Sequence, residues 1–140
     1  MRAVPVFKRT RTVCDADIDA FGHVNNLVWI RFIVELADAH SRAAGLDPPA
    51  YKKIGGFWIV RRHEIDYHAP ALPDERIVEE TWISQLRGAR SVRRCRFARE
   101  TDGKRLVSST THWAYVDAQT QRPRRIDAGV LQRFQVLADD

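Results

Sequence analysis

Between Asp17 and Asn26 the chain reads Asp-Ile-Asp-Ala-Phe-Gly-His-Val-Asn-Asn. Two carboxylates (Asp17 and Asp19), the His23 imidazole and the amides of Asn25 and Asn26 lie close together around Gly22. An aspartate in such a loop can orient or deprotonate water, or attack a carbonyl directly. The unpaired N–H groups of a helix starting just after it can hold a developing oxyanion. These are the parts needed to transfer an acyl group to water. Gly22 would then permit a tight turn or let an acyl group approach the backbone. A purely structural reading is also open here. Asp19 can cap a turn, His23 can be a hydrogen-bonding core residue, and Asn25 can form an Asx turn.

The loop needs elements to position it. From Asn26 to Ala44 apolar residues recur at helical intervals without a proline, and Gly45 closes the segment. Asn25 or Asn26 fits the N-cap. The apolar surface is broad enough to predict a buried central helix. Before the loop, Val4 to Cys14 reads as a strand, with Pro5 marking an edge or a late start. Gly45 to Lys53, with Pro48 and Pro49, reads as a connection. The period then changes. Strands are predicted over Gly56–His68, from Ile77 to Ile83, over Ser91–Arg99 and over Leu106–Val116, with Asp102-Gly103 as a hairpin signal. Asp127 can cap a short terminal helix carrying Val130, Leu131 and Phe134. The expected fold class is therefore α+β. Its sheet is expected to be curved and antiparallel, with the strands after the helix in succession, wrapped around the long helix and covering it on nearly all sides. Such a layer leaves sheet edges, which predicts self-association.

Length and composition bound the rest. A chain of 140 residues holds one domain with a sizeable core. No basic segment runs into an uninterrupted apolar stretch, so neither a signal peptide nor a membrane span is read, and a cytoplasmic location is expected. Cys14 and Cys95 are too few and too far apart for a disulfide framework. The five histidines and two cysteines form no compact ligand pattern, so no metal is expected. No cofactor fingerprint is present. The net charge of +5 comes with arginines concentrated between Arg87 and Arg99 and between Arg122 and Arg125. Such patches can meet phosphates of a small molecule or form a solvated basic face, and no nucleic-acid motif accompanies them.

The loop resembles that of the hotdog-fold acyl-CoA thioesterases, in the branch typified by 4-hydroxybenzoyl-CoA thioesterase. Asp17, Asp19 and Gly22, continuing into His23-Val24-Asn25-Asn26, follow the family's Asp-x-Asp-x-x-Gly pattern without a gap. Phe57-Trp58-Ile59-Val60 and Ile65-Asp66-Tyr67-His68-Ala69-Pro70 add a second stretch, and Thr111 to Asp117 leading to Arg122-Pro123 a third. The resemblance implies one hotdog thioesterase domain over residues 1–140, hydrolysing a thioester to a carboxylic acid and coenzyme A. It implies Asp19 as the catalytic base or nucleophile, with the carbonyl held by backbone N–H at Asn26 or Leu27. His23 would touch the thioester or hold the loop, Asn25 would orient water, and Asn26 is the preferred cap. Asp17 would stabilise the loop. The acyl group would enter between subunits near Trp29, Phe57 and Trp58. Phosphates of coenzyme A would meet Arg61, Arg62, Arg87 and Arg90, and Glu64 would be an assistant base.

Coenzyme A is substrate in this reading, not a retained cofactor. A homodimer or homotetramer is implied, with no nucleic-acid or membrane partner. Two alternatives stay open: hydrolysis of acyl groups from acyl carrier protein, and acyl-CoA binding without turnover.

Overall fold

The computed structural model describes residues 5–139. Strand β1 spans Phe7–Thr12; Val4, where the sequence reading starts this strand, lies outside the described residues. A 3-10 turn at Asp15–Asp17 leads into the loop, and helix α1 runs Asn26–Ala43. Helix α2 (Pro48–Ile54) follows, where the sequence predicts only a connection. Its two prolines sit in the first turn, where a missing N–H breaks no helical hydrogen bond, and Asp47 caps Ala50 N–H at 3.0 Å. Strands β2 (Gly56–Tyr67), β3 (Arg76–Arg87), β4 (Arg90–Arg99) and β5 (Arg105–Asp117) come next, then helix α3 (Ala128–Leu131).

All pairings are antiparallel, and the strand order is β1-β3-β4-β5-β2. The α+β class holds, but two parts of the expectation are corrected. The strands after the helix are not neighbours in succession: β2 crosses to the far edge and pairs with β5. Nor does a curved hotdog sheet wrap around the helix. The sheet is open, neither curled nor closed, with β1 and β2 as its two edges. The physical reason lies in α1. It buries one stripe, Trp29, Phe32, Ile33, Leu36, Ala37 and His40, and leaves Leu27, Arg31, Val34 and Asp38 exposed. A helix with one apolar face needs only one face of a sheet against it.

That stripe packs on Ile77, Cys95, Phe97, Leu106 and Val107 of the inward sheet face, with Val13 and Val24 closing the end beside the loop. Each fully buried side chain here contributes about 1.5–3 kcal/mol. A second cluster of Leu46, Tyr115, Ile126 and Val130 holds the opposite end together. Between the two clusters the inward face turns polar, with Glu79, Thr81, Arg93, Ser109 and Thr111 all buried. Glu79 is satisfied from the edge strand by Arg9 at 2.7 Å and Arg11 at 2.5 Å.

Candidate active site

The Asp17–Asn26 loop is a small hairpin pinned at both sides. Ile18 and Val24 form an antiparallel bridge, Asp19 N–H donates to His23 carbonyl at 2.9 Å, and Gly22 N–H to Asp19 carbonyl at 3.1 Å. Gly22 takes the turn at φ +82°, in the left-handed region that favours glycine. Val24 N–H reaches Ala71 carbonyl at 3.0 Å, which ties the loop to the β2–β3 connection.

The two aspartates have different surroundings. Asp17 is buried: its Oδ2 accepts from Cys14 N–H at 3.0 Å and its Oδ1 from Arg31 Nη2 at 2.5 Å. Those bonds lock loop to helix. Asp19 is half-buried, and its Oδ1 accepts Phe21 N–H at 2.9 Å. Its Oδ2 has no protein donor among the described residues. His23 is exposed, and its ring makes no hydrogen bond among the described residues.

At the helix start the preferred cap is corrected. Asn25, not Asn26, is the N-cap, and its Oδ1 accepts Leu27 N–H at 2.8 Å. A side-chain oxygen on the preceding residue has the right reach, whereas Asn26 already belongs to the first turn. Of the two backbone donors predicted for a carbonyl, Leu27 N–H is therefore occupied. No acceptor for Asn26 N–H is found among the described residues. Tyr67, at the end of β2, donates its hydroxyl to Asn26 carbonyl at 3.2 Å, which fixes this strand end beside the helix start. Phe21 and Leu27 flank the acid, 87% and 73% exposed, as an apolar rim.

The other predicted residues are spread out. Trp29 is core, packed edge-on against Phe32 and Phe97. Phe57 and Trp58 open β2, at the end opposite Tyr67, roughly 30 Å away along the strand. Arg61 is exposed on β2, while Arg62 is paired with Glu64. Arg87 and Arg90 are exposed at the β3–β4 turn, roughly 35 Å along β3 from its start near the loop. One copy of the chain thus gathers Asp19, Gly22, His23, Asn25, Asn26 and Leu27, and leaves Phe57, Trp58, Arg61, Arg62, Glu64, Arg87 and Arg90 elsewhere. Tyr67, read from the sequence as a strand position that fixes the sheet against the helix, does so through its bond to Asn26 carbonyl; Phe21, to which the sequence assigned no role, is a second large side chain at the edge of the loop. Among the described residues no group of three or more metal-ligating side chains converges, and no helix is long and apolar enough to cross a membrane. Cys14 and Cys95 are free thiols.

The backbone is similar to solved structures of several thioesterases. The chain is 18% identical to a 1,4-dihydroxy-2-naphthoyl-CoA thioesterase from Synechocystis, with 91% of this chain and 94% of that one covered and a TM-score of 0.84. A Staphylococcus aureus protein solved in complex with CoA gives 13% identity, 95% and 84% coverage and a TM-score of 0.87. An acyl-ACP thioesterase from Bacteroides thetaiotaomicron gives 15%, 97% and a TM-score of 0.84, and the match spans 54% of that longer chain. At these identities the likeness is one of fold. No curated protein matches the chain. The family model described as Thioesterase-like superfamily matches residues 13–134, a span that holds both the loop and the whole sheet after it. The chain belongs to the thioesterase-like superfamily.

Proposed function

We propose that this protein is an acyl-CoA thioesterase that uses Asp19 as general base or nucleophile. The observation that carries the reading is the pairing of a singly bonded Asp19 carboxylate with the start of α1, where Asn26 N–H has no acceptor among the described residues. The thioester carbonyl would accept from Asn26 N–H, and the helix dipole would favour the negative charge that develops there. Asp19 takes a proton from water as it adds to the carbonyl, or adds itself and is released by water. The thiolate of coenzyme A leaves, and the acid is freed. A thiolate departs without a strong general acid, so a charged Asp19 suffices. His23 would hold the thioester or the loop, and the side-chain amide of Asn25 would orient the attacking water.

The distant residues enter this reading through a second copy. The β2 edge is twelve residues long, with Arg61, Arg62, Glu64 and Tyr67 exposed along it. A homodimer or homotetramer could carry Phe57, Trp58, Arg61, Arg62, Glu64, Arg87 or Arg90 of one copy toward Asp19 of another, where the arginines would meet phosphates.

The test is thiol release from short, medium, long and aromatic acyl-CoAs by the parent and by Asp19→Asn, at matched folding and oligomeric state. The parent should turn over a preferred subset, and Asp19→Asn should lose about a hundredfold or more in kcat. Activity kept by Asp19→Asn would sink the assignment. Acyl carrier protein substrates, run beside acyl-CoA across a salt series, separate the two carriers: an acidic protein partner gives the steeper salt dependence.

A further inference from the structure

A cavity of about 550 Å³ lies away from the loop, between the C-terminal half of α1, helix α2 and the sheet. On α1 its lining begins at Val34 and ends at Ser41, roughly 12–22 Å along the helix from Asn26. Its size is that of a small-molecule site. Phe57, Trp58 and Trp113 supply flat apolar walls, and two cations line the cavity: Lys52, exposed on α2, and Arg93, buried on the sheet.

Arg93 is 5% exposed. Its Nη1 donates to Nδ1 of His40 at 2.9 Å and to Thr81 Oγ1 at 3.1 Å. Nε and Nη2, which form the guanidinium edge suited to a bidentate carboxylate, have no acceptor among the described residues. No carboxylate among the described residues is within ion-pair distance of the group either. Glu79, buried on the same sheet face, is held by Arg9 and Arg11, and Asp38 on the cavity lining is held by Arg42 at 2.7 Å. The ionisable neighbours that act on the guanidinium are Cys95 and Tyr51, and burial raises both away from ionisation. His40 is kept neutral by burial and then by the charge of Arg93, with its pKa near 4. Trp113, on the same lining, carries a buried Nε1–H without an acceptor among the described residues. A buried, uncompensated guanidinium is costly unless something pairs with it.

We propose that this cavity binds a carboxylate borne on a flat apolar body, with the Nε–Nη2 edge of Arg93 as its anchor. Binding of a free acid here would stand independently of Asp19, whereas binding of an acyl group would rest on the thioesterase reading. Two sources share this chemistry: a free organic acid, or a second carboxylate at the far end of an acyl group.

Calorimetric titration of the full chain with 1-naphthoate and with 1-naphthamide tests it without any turnover. The acid should bind about tenfold or more tightly than the amide, and Arg93→Met should erase that preference. Equal binding of acid and amide, binding of neither, or a preference kept in Arg93→Met overturns the proposal. Should Arg93→Met fail to fold, the acid–amide comparison on the parent decides alone. Titrating 4-carboxybenzoyl-CoA and 4-methylbenzoyl-CoA into Asp19→Asn, with and without Arg93→Met, identifies the source. An Arg93-dependent preference for 4-carboxybenzoyl-CoA places the carboxylate on an acyl group. Equal affinities, with naphthoate still bound, assign the site to a free acid.

Discussion

His40 couples the buried charge of Arg93 to pH. Burial, and then the guanidinium, lowers its pKa from 6.5 to about 4. Between those values the unfolded chain binds more protons than the folded one, so acid favours unfolding. This contribution to stability is complete above pH 6.5, declines as pH falls toward 4, and changes no further below that. The loss is of order 3 kcal/mol at most. Denaturant unfolding between pH 7.5 and 4 should show the decline, and His40→Gln should flatten it; a parallel decline in both proteins would assign it to other groups. Asp17 belongs to the same scale. Asp17→Ala orphans Cys14 N–H and the Arg31 contact, and should cost about 1–3 kcal/mol by chemical denaturation. The loop as a cluster was legible because Asp17, Asp19, Gly22 and His23 fall within seven residues of sequence. Arg93 was hidden in a run of arginines. Its signal was parity: Ser91, Arg93, Cys95 and Phe97 alternate on one side of β4, and all four are buried.

At the scale of elements, caps and close contacts decide the boundaries. Asn25→Ala removes the oxygen that holds Leu27 N–H and should cost about 1 kcal/mol, read as a lower midpoint in urea. Gly56 is a sharper case. A methyl group there would come within 2.4 Å of the Tyr115 ring and hydroxyl. That ring cannot yield easily, because its hydroxyl donates to Asp127 at 2.9 Å and the ring packs, tilted, against Trp58. Gly56→Ala should therefore destabilise by about 1–3 kcal/mol. A variant as stable as the parent would mean that Tyr115 moves freely. The long helix and the strands were readable from period alone, within a few residues at their ends. Helix α2 was not, because Pro48-Pro49 argues for a loop until one sees that both fall in the first turn. The cap of α1 was misplaced by one residue, since two adjacent asparagines carry identical capping chemistry.

Across the whole molecule, strand order was what the sequence could not give. Pro70 and Pro73 between β2 and β3 look like a turn, yet those strands end up at opposite sides of the sheet's middle. Pairing across such distances is set by which inward faces meet α1, a long-range matter that no local pattern encodes. The order β1-β3-β4-β5-β2 also has a temporal meaning. Strands β3, β4 and β5 are joined by short turns, so each can find its neighbour without closing a long loop. The pairing of β2 with β5, by contrast, must bring Gly56 to Asp117 around both hairpins, and β1 must return across α1 to reach β3. The three middle strands should thus assemble first and act as the template on which the helix and the two outer strands settle. Pulsed hydrogen exchange during refolding would then protect Trp82 and Arg94 before Phe57 and Arg11, and the reverse order would mean that the outer strands, not the hairpins, choose the fold.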